Sequence, residues 1–163
     1  LSSPGVNVER KDRLMPLTPD TVFLIATYGI MPFWLLLAIA PSWTYTQTLV
    51  HSALIPIVIG VAYTFYVTTG AFSQSEGFGT LSAIMKAFTV PEAVIAGWLH
   101  YIVFDLFVGA WQVRDAQRRG MNHWLVVPCL FFTLMLGPVG LLLYIILRKL
   151  SSKGGWALEA HPV

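Results

Sequence analysis

The chain has 163 residues, 56% of them hydrophobic and 11% charged, with a mean hydropathy of +0.68. An ordinary soluble domain carries about 25% charged residues, so this composition excludes a large water-soluble core and defines a one-domain integral membrane protein. The net charge of +2 does not indicate a nucleic-acid partner, because the ten Lys and Arg residues fall almost wholly at the ends of apolar runs, where they anchor helices in lipid.

Residues 1–19 read as a polar segment facing stroma or cytoplasm. The chain starts at Leu1 rather than Met, and its first twenty residues hold no apolar signal core, which fits a targeting segment already removed or a trimmed sequence. Residues 20–148 form the membrane domain, expected to be all-α with four transmembrane helices and a short interfacial helix, since each of four runs meets the requirement of about 20 apolar residues for a ~30 Å hydrocarbon core. The first, 21–40, is introduced by Thr18, Pro19 and Asp20 as cap and first turn, and is closed by Pro41. The second covers 49–70. A Gly- and Ser-rich loop follows, then an interfacial helix over 78–90 with Phe78, Leu81, Ile84, Met85 and Phe88 on one face. The third span, 91–112, opens on Pro91 and Glu92, and the fourth, 124–147, is interrupted by Pro128 and Pro138 and stopped by Arg148 and Lys149. Residues 149–163 are a tail. The runs are continuous rather than alternating, which argues against a β-barrel.

Four crossings put both termini on one side. Arg10, Lys11, Arg13, Lys86, Arg148, Lys149 and Lys153 share that side, so both termini are expected to face stroma or cytoplasm. Trp43, Tyr45, Trp111 and Trp124 mark the opposite interface, where Arg114, Arg118 and Arg119 stand against the rule.

The chemistry-bearing residues are few. His51, His100, His123 and His161 form no HxxxH or HxxHH pair, so a di-iron site is not expected, and the lone Cys129 excludes an intrachain disulfide or a Cys-based metal site. A bis-histidine haem needs matched depths. His51 sits near an interface while His100 lies about twelve residues, roughly 18 Å, below it. Glu92, His100, Asp105 and Gln112 are the polar groups of the third span, and a carboxyl at mid-bilayer is costly unless paired, protonated or hydrated. His100 and Asp105 stand about 140° apart on a helix, so each needs its own partner on another element. For Asp105, Trp98 and Tyr101 are the near candidates for a hydrogen bond. His100, or else His51, is a candidate ligand to a chlorophyll magnesium.

The segment "GWLHYIVFDLF", with Trp98, His100, Asp105, Leu106 and Phe107, resembles the abscisic-acid-deficient family of small four-helix membrane proteins required for neoxanthin synthesis in plants. Cys129–Leu130 and Pro138–Val139–Gly140 match later elements of the same pattern, as does "LSAIMKAF" before it. The resemblance covers residues 20–148, with its specific motifs from 81 to 144. The loop "VRDAQRRGMNHWLVVPC" looks longer and more basic than in the family's plant form.

That resemblance implies xanthophyll handling in a photosynthetic membrane, the plastid thylakoid, or a bacterial inner membrane for bacterial members. As an enzyme, the protein would isomerise an epoxy-carotenoid without a redox cofactor, with Asp105 as acid and His100 as base. Trp98, His100, Tyr101, Phe104, Glu92 and His51 are the expected pigment contacts, with carotenoid, and chlorophyll as a further pigment, as the bound molecules. The competing expectation is a non-catalytic pigment-binding or assembly subunit whose partners are photosystem or antenna proteins. Gly97, Gly109, Gly137 and Gly140 are small-residue positions suited to close helix contacts.

Overall fold

The structure, a computed structural model, describes residues 18–71 and 79–158. Most of the N-terminal segment, Phe78 of the expected interfacial helix, His161 and the end of the tail lie outside the described residues. Every regular element described is helical. Among the described residues, three stretches are long and apolar enough to cross a membrane: Pro19–Ile39, Thr46–Gly70 and Pro91–Arg118.

The first stretch starts as expected, with Thr18 Oγ1 accepting from the Thr21 amide at 3.3 Å, Pro19 opening the helix and Asp20 in its first turn. It is built of two pieces, α1 (Pro19–Gly29) and α2 (Met31–Ile39). Pro32 lacks the amide that would continue the ladder, and the chain restarts with Pro32 in a new first turn. The second stretch opens with a π-helical turn, Thr46–Val50, continues as α3 (Leu54–Tyr66) and closes with another π-turn, Val67–Ala71.

A seven-residue helix, α4 (Leu81–Ala87), follows, capped by Thr80 Oγ1 on the Ala83 amide. Its packing is the reverse of a buried apolar stripe. Ala83 and Ala87 are covered, while Leu81 and Met85 are 74% and 64% exposed, as suits a helix lying against lipid.

The central element is α5 (Pro91–Arg118), 28 residues and about 42 Å long, with all other long helices packed on it. It runs six residues beyond the expected end because Asp115 and Arg119, four apart, pair at 2.8 Å across its last turn. Gly120, at φ +60°, terminates it.

The expected fourth crossing is not formed. Gly137 (φ +44°, ψ −93°) breaks the run into α6 (His123–Leu136) and α7 (Pro138–Leu150). Gly137 lies against Asp105, whereas Tyr144 and Arg148, about two and three turns further along α7, bond Asp115. Thus α7 rises in the direction of α5, α6 descends against it, and the two form a hairpin whose tip stands halfway along α5. Their contact is tight at one point: a Cβ on Gly140 would collide with the backbone of Thr133. The residues following α7 therefore lie beside the end of α5, not beside its start. The four-crossing premise for placing both termini on one side does not hold.

Candidate functional site

Asp105 is 14 residues into α5, roughly 21 Å from its start and close to its middle. It is 8% exposed. The Gly137 turn brings the tip of the hairpin against it, with α7 starting at that point, so the partial positive charge of that helix start faces the carboxyl. The helix break is what makes this meeting possible, because an L-residue side chain at Gly137 would be strained at positive φ and would strike the Asp105 carboxyl oxygen at 2.8 Å.

Asp105 Oδ2 is buried without a hydrogen-bond partner among the described residues. Of the two aromatic donors expected for it, Trp98 is engaged elsewhere, whereas the Tyr101 hydroxyl lies within reach of the Asp105 carboxyl as well as of a backbone carbonyl. Trp98 Nε1 donates to Thr27 Oγ1 at 2.9 Å, and the Tyr101 hydroxyl donates to the Leu134 carbonyl at 3.2 Å. Both residues still line the cavity of about 120 Å³ into which Asp105 faces. Through Met31, Trp34 and Leu134, that cavity adjoins a wholly apolar groove of about 440 Å³ between α2 and α6. A buried polar atom left unsatisfied costs free energy, which a bound water, a ligand or a chemical role would offset.

His100 belongs to a different wall. It is exposed on α5, its ring 4.6 Å from Phe104 and 5.7 Å from Tyr63, and with both it lines a groove facing α3. The 140° offset read from the sequence thus separates the two residues, and no single small molecule centred on Asp105 touches His100 without passing around α5. His51 stands near the far end of that groove, its Nδ1 3.1 Å from Arg114 Nη1. His123 Nε2 pairs with the Ala38 carbonyl at 2.9 Å, fastening α6 to the end of α2. Glu92 sits in the first turn of α5, where its charge suits the helix start, and packs against Gly70. Trp98 and Tyr101 therefore share a site with Asp105, His100 shares one with Phe104, and Glu92 joins neither.

Sequence reasoning missed the strongest polar cluster. Asp115 accepts from Arg119 Nε (2.8 Å), the Tyr144 hydroxyl (2.7 Å) and Arg148 Nη1 (2.7 Å), all in a nearly dry setting. Arg148 is fully buried and also donates from Nη2 to the carbonyls of Gly155 (2.6 Å) and Ala157 (3.0 Å). Deeper, Gln112 Nε2 donates to Thr133 Oγ1 at 2.9 Å, and that hydroxyl donates to the Cys129 carbonyl at 2.9 Å. These bonds hold the hairpin on α5 and so fix its tip at Asp105. The available signal was the Gly137–Pro138 pair, a turn dipeptide inside an apolar run.

These features define a class: a small helical membrane protein in which a broken apolar run returns on itself and sets its turn against a mid-depth carboxyl. The model of the ABA DEFICIENT 4-like family matches residues 21–144, and the chain belongs to that family. It is 25% identical over 144 residues to Protein ABA DEFICIENT 4, chloroplastic, of Arabidopsis thaliana, an alignment covering 80% of this chain and 62% of that protein. The chain thus spans less than two thirds of the length of this curated relative. No solved structure matches it.

Proposed function

We propose that this chain holds an epoxy-xanthophyll in a plastid membrane and isomerises its oxygenated end at Asp105. The observation that carries this reading is the unpartnered Oδ2 of Asp105 in an aromatic-lined cavity that adjoins a long apolar groove. The groove between α2 and α6 suits a rigid polyene. The smaller cavity suits part of its end ring, with Trp34, Trp98 and Tyr101 as flat contact surfaces.

Both proton transfers of such an isomerisation can pass through one carboxyl. The protonated acid gives its proton to the epoxide oxygen as the C–O bond breaks, leaving a cation delocalised into the polyene. The carboxylate then removes a proton from the adjacent chain carbon as the new C=C bond forms, which regenerates the acid. No electrons enter or leave, so the reaction needs no redox cofactor. Being on another wall, His100 is not the base in this scheme.

The test is conversion of an epoxy-xanthophyll in a carotenoid-producing host, followed by chromatography of extracted pigments. Asp105→Asn should lower conversion by about 10²–10⁴-fold, the range of a general acid–base group, at unchanged membrane abundance. His100→Ala should convert normally. Wild-type conversion by Asp105→Asn would remove the assignment.

The exposed position of His100 beside Tyr63 and Phe104 favours a second reading, in which pigment, chlorophyll included, is carried on the outer wall without turnover as part of a photosystem or antenna assembly. In that case the wild-type chain converts nothing, and His100→Ala loses co-purifying pigment.

A further inference from the structure

The wall opposite Asp105 carries a groove that isomerisation at Asp105 does not use. It runs between α3 and α5 as two adjoining cavities of about 350 and 180 Å³, which share Pro56, Val103 and Phe107. The deep end, at Gly60 and His100, is apolar apart from the histidine and Tyr63. The shallow end adds three polar side chains, His51, Ser52 and Arg114, to an otherwise apolar lining, and no carboxylate among the described residues.

Three features there favour an anion. A guanidinium only donates, so the 3.1 Å contact with Arg114 makes His51 Nδ1 an acceptor and places the ring proton on Nε2. That Nε2–H is buried and finds no acceptor among the described residues. The N-terminal end of α3, a 13-residue helix, opens on the same cavity through Ser52, Ala53 and Pro56, adding the positive end of its dipole.

Depth selects the occupant. Arg114 lies 23 residues along α5, roughly 35 Å from its start at 1.5 Å per residue, beyond a ~30 Å hydrocarbon core and at the level of lipid headgroups. From Arg114 down to His100 is about 21 Å, the reach of one acyl chain rather than of a molecule that spans both leaflets.

We propose that this groove binds one anionic membrane lipid, its headgroup at Arg114 and His51 and one acyl chain lying along Phe107 toward His100. The site is independent of turnover at Asp105. Its occupant comes from the leaflet at the end of α5, and by filling the space between α3 and α5 it holds the outer wall of α5 in place.

Native mass spectrometry of the full chain, purified in detergent and titrated with phosphatidylglycerol or phosphatidylcholine, tests it. One phosphatidylglycerol should be retained at least fivefold better than phosphatidylcholine. Arg114→Gln should remove that preference, and Arg114→Lys should keep most of it. Gly60→Leu attacks the other end of the site. A Cβ at Gly60 meets nothing within 4 Å, so the larger side chain can fill the groove without striking the backbone and should lower retention at least fivefold with Arg114 intact. Arg118→Gln, at the same membrane level but outside the groove, should change nothing. Equal retention of the two lipids, equal loss from Arg118→Gln and Arg114→Gln, or displacement of the phospholipid by a neutral xanthophyll would each overturn the proposal. Because no carotenoid need be present, failure here leaves the conversion assay unaffected, and the reverse.

Discussion

Replacing Asp115 by Asn keeps its shape and removes its charge, a clean way to ask what holds the hairpin on α5. The side chain is 2% exposed and accepts three bonds of 2.7–2.8 Å from Arg119, Tyr144 and Arg148. Arg148 cannot compensate by reaching water. It is fully buried, its Nη2 is held by the Gly155 and Ala157 carbonyls, and its Nε has no partner among the described residues. Breaking a buried ion pair from one side costs about 3–5 kcal/mol, because the remaining charge is stranded, and each 1.4 kcal/mol is tenfold in the equilibrium. Asp115→Asn should therefore raise the unfolded fraction by two to nearly four orders of magnitude. Unfolding in mixed micelles of rising SDS fraction, followed by tryptophan fluorescence, measures this, with exposed Arg118→Gln as a reference expected within about 0.5 kcal/mol of wild type. The double variant Asp115→Leu with Arg148→Met should cost less than Asp115→Asn alone, since removing both charges strands neither. An Asp115→Asn protein within 1 kcal/mol of the wild type would refute the idea that this cluster fastens the hairpin.

The returning hairpin also changes the expected topology: Arg114, Arg118, Arg119, Arg148, Lys149 and Lys153, six of the ten basic residues, gather at the end where α5 finishes, which should face stroma or cytoplasm. Single cysteines at Trp43 and Ser152 should then react with an impermeant maleimide from that face, and one at Ser82 from the other; Ser82 and Ser152 reacting together would restore four crossings. Gly140→Val forces α6 and α7 apart at Thr133 and should destabilise by about 1–3 kcal/mol or more, whereas Gly29→Ala, with open space around it, should be neutral or mildly stabilising in the same unfolding assay.

Much of this architecture was legible from residue order. Thr18, Pro19 and Asp20 announced α1, Pro91 and Glu92 announced α5, and three apolar runs of sufficient length became three crossing-length stretches. The cost of a mid-depth carboxyl singled out Asp105, and helical geometry predicted that His100 would face elsewhere. The fourth run departs from expectation because a count of apolar residues treats 124–147 as one rod. Gly137 and Pro138 are only two positions in it, yet a positive φ followed by a residue without an amide reverses the chain. Once the run is taken as a rod, Arg148 reads as a stop signal at a surface. Its true place, buried against a residue 33 positions earlier, follows only from the fold-back. For the same reason nothing in the local sequence of Asp105 reveals that a turn 32 residues later would meet it.

The lengths of α6 and α7 bear on how the protein is made. At 14 and 13 residues they reach about 21 and 20 Å, short of the ~30 Å needed to stall a chain across the bilayer. Neither arm can lodge alone, and each exposes apolar side chains that need cover. Insertion of this part is consequently expected to be a late step, taken by both arms together once α5 stands in the membrane with Asp105 and Asp115 as its landing points. Arg148, Lys149 and Lys153 never pass through lipid on this route, since the pair goes in and comes out at one face. A nascent chain halted before Leu150 should accordingly hold three settled crossings and an apolar segment still awaiting its place.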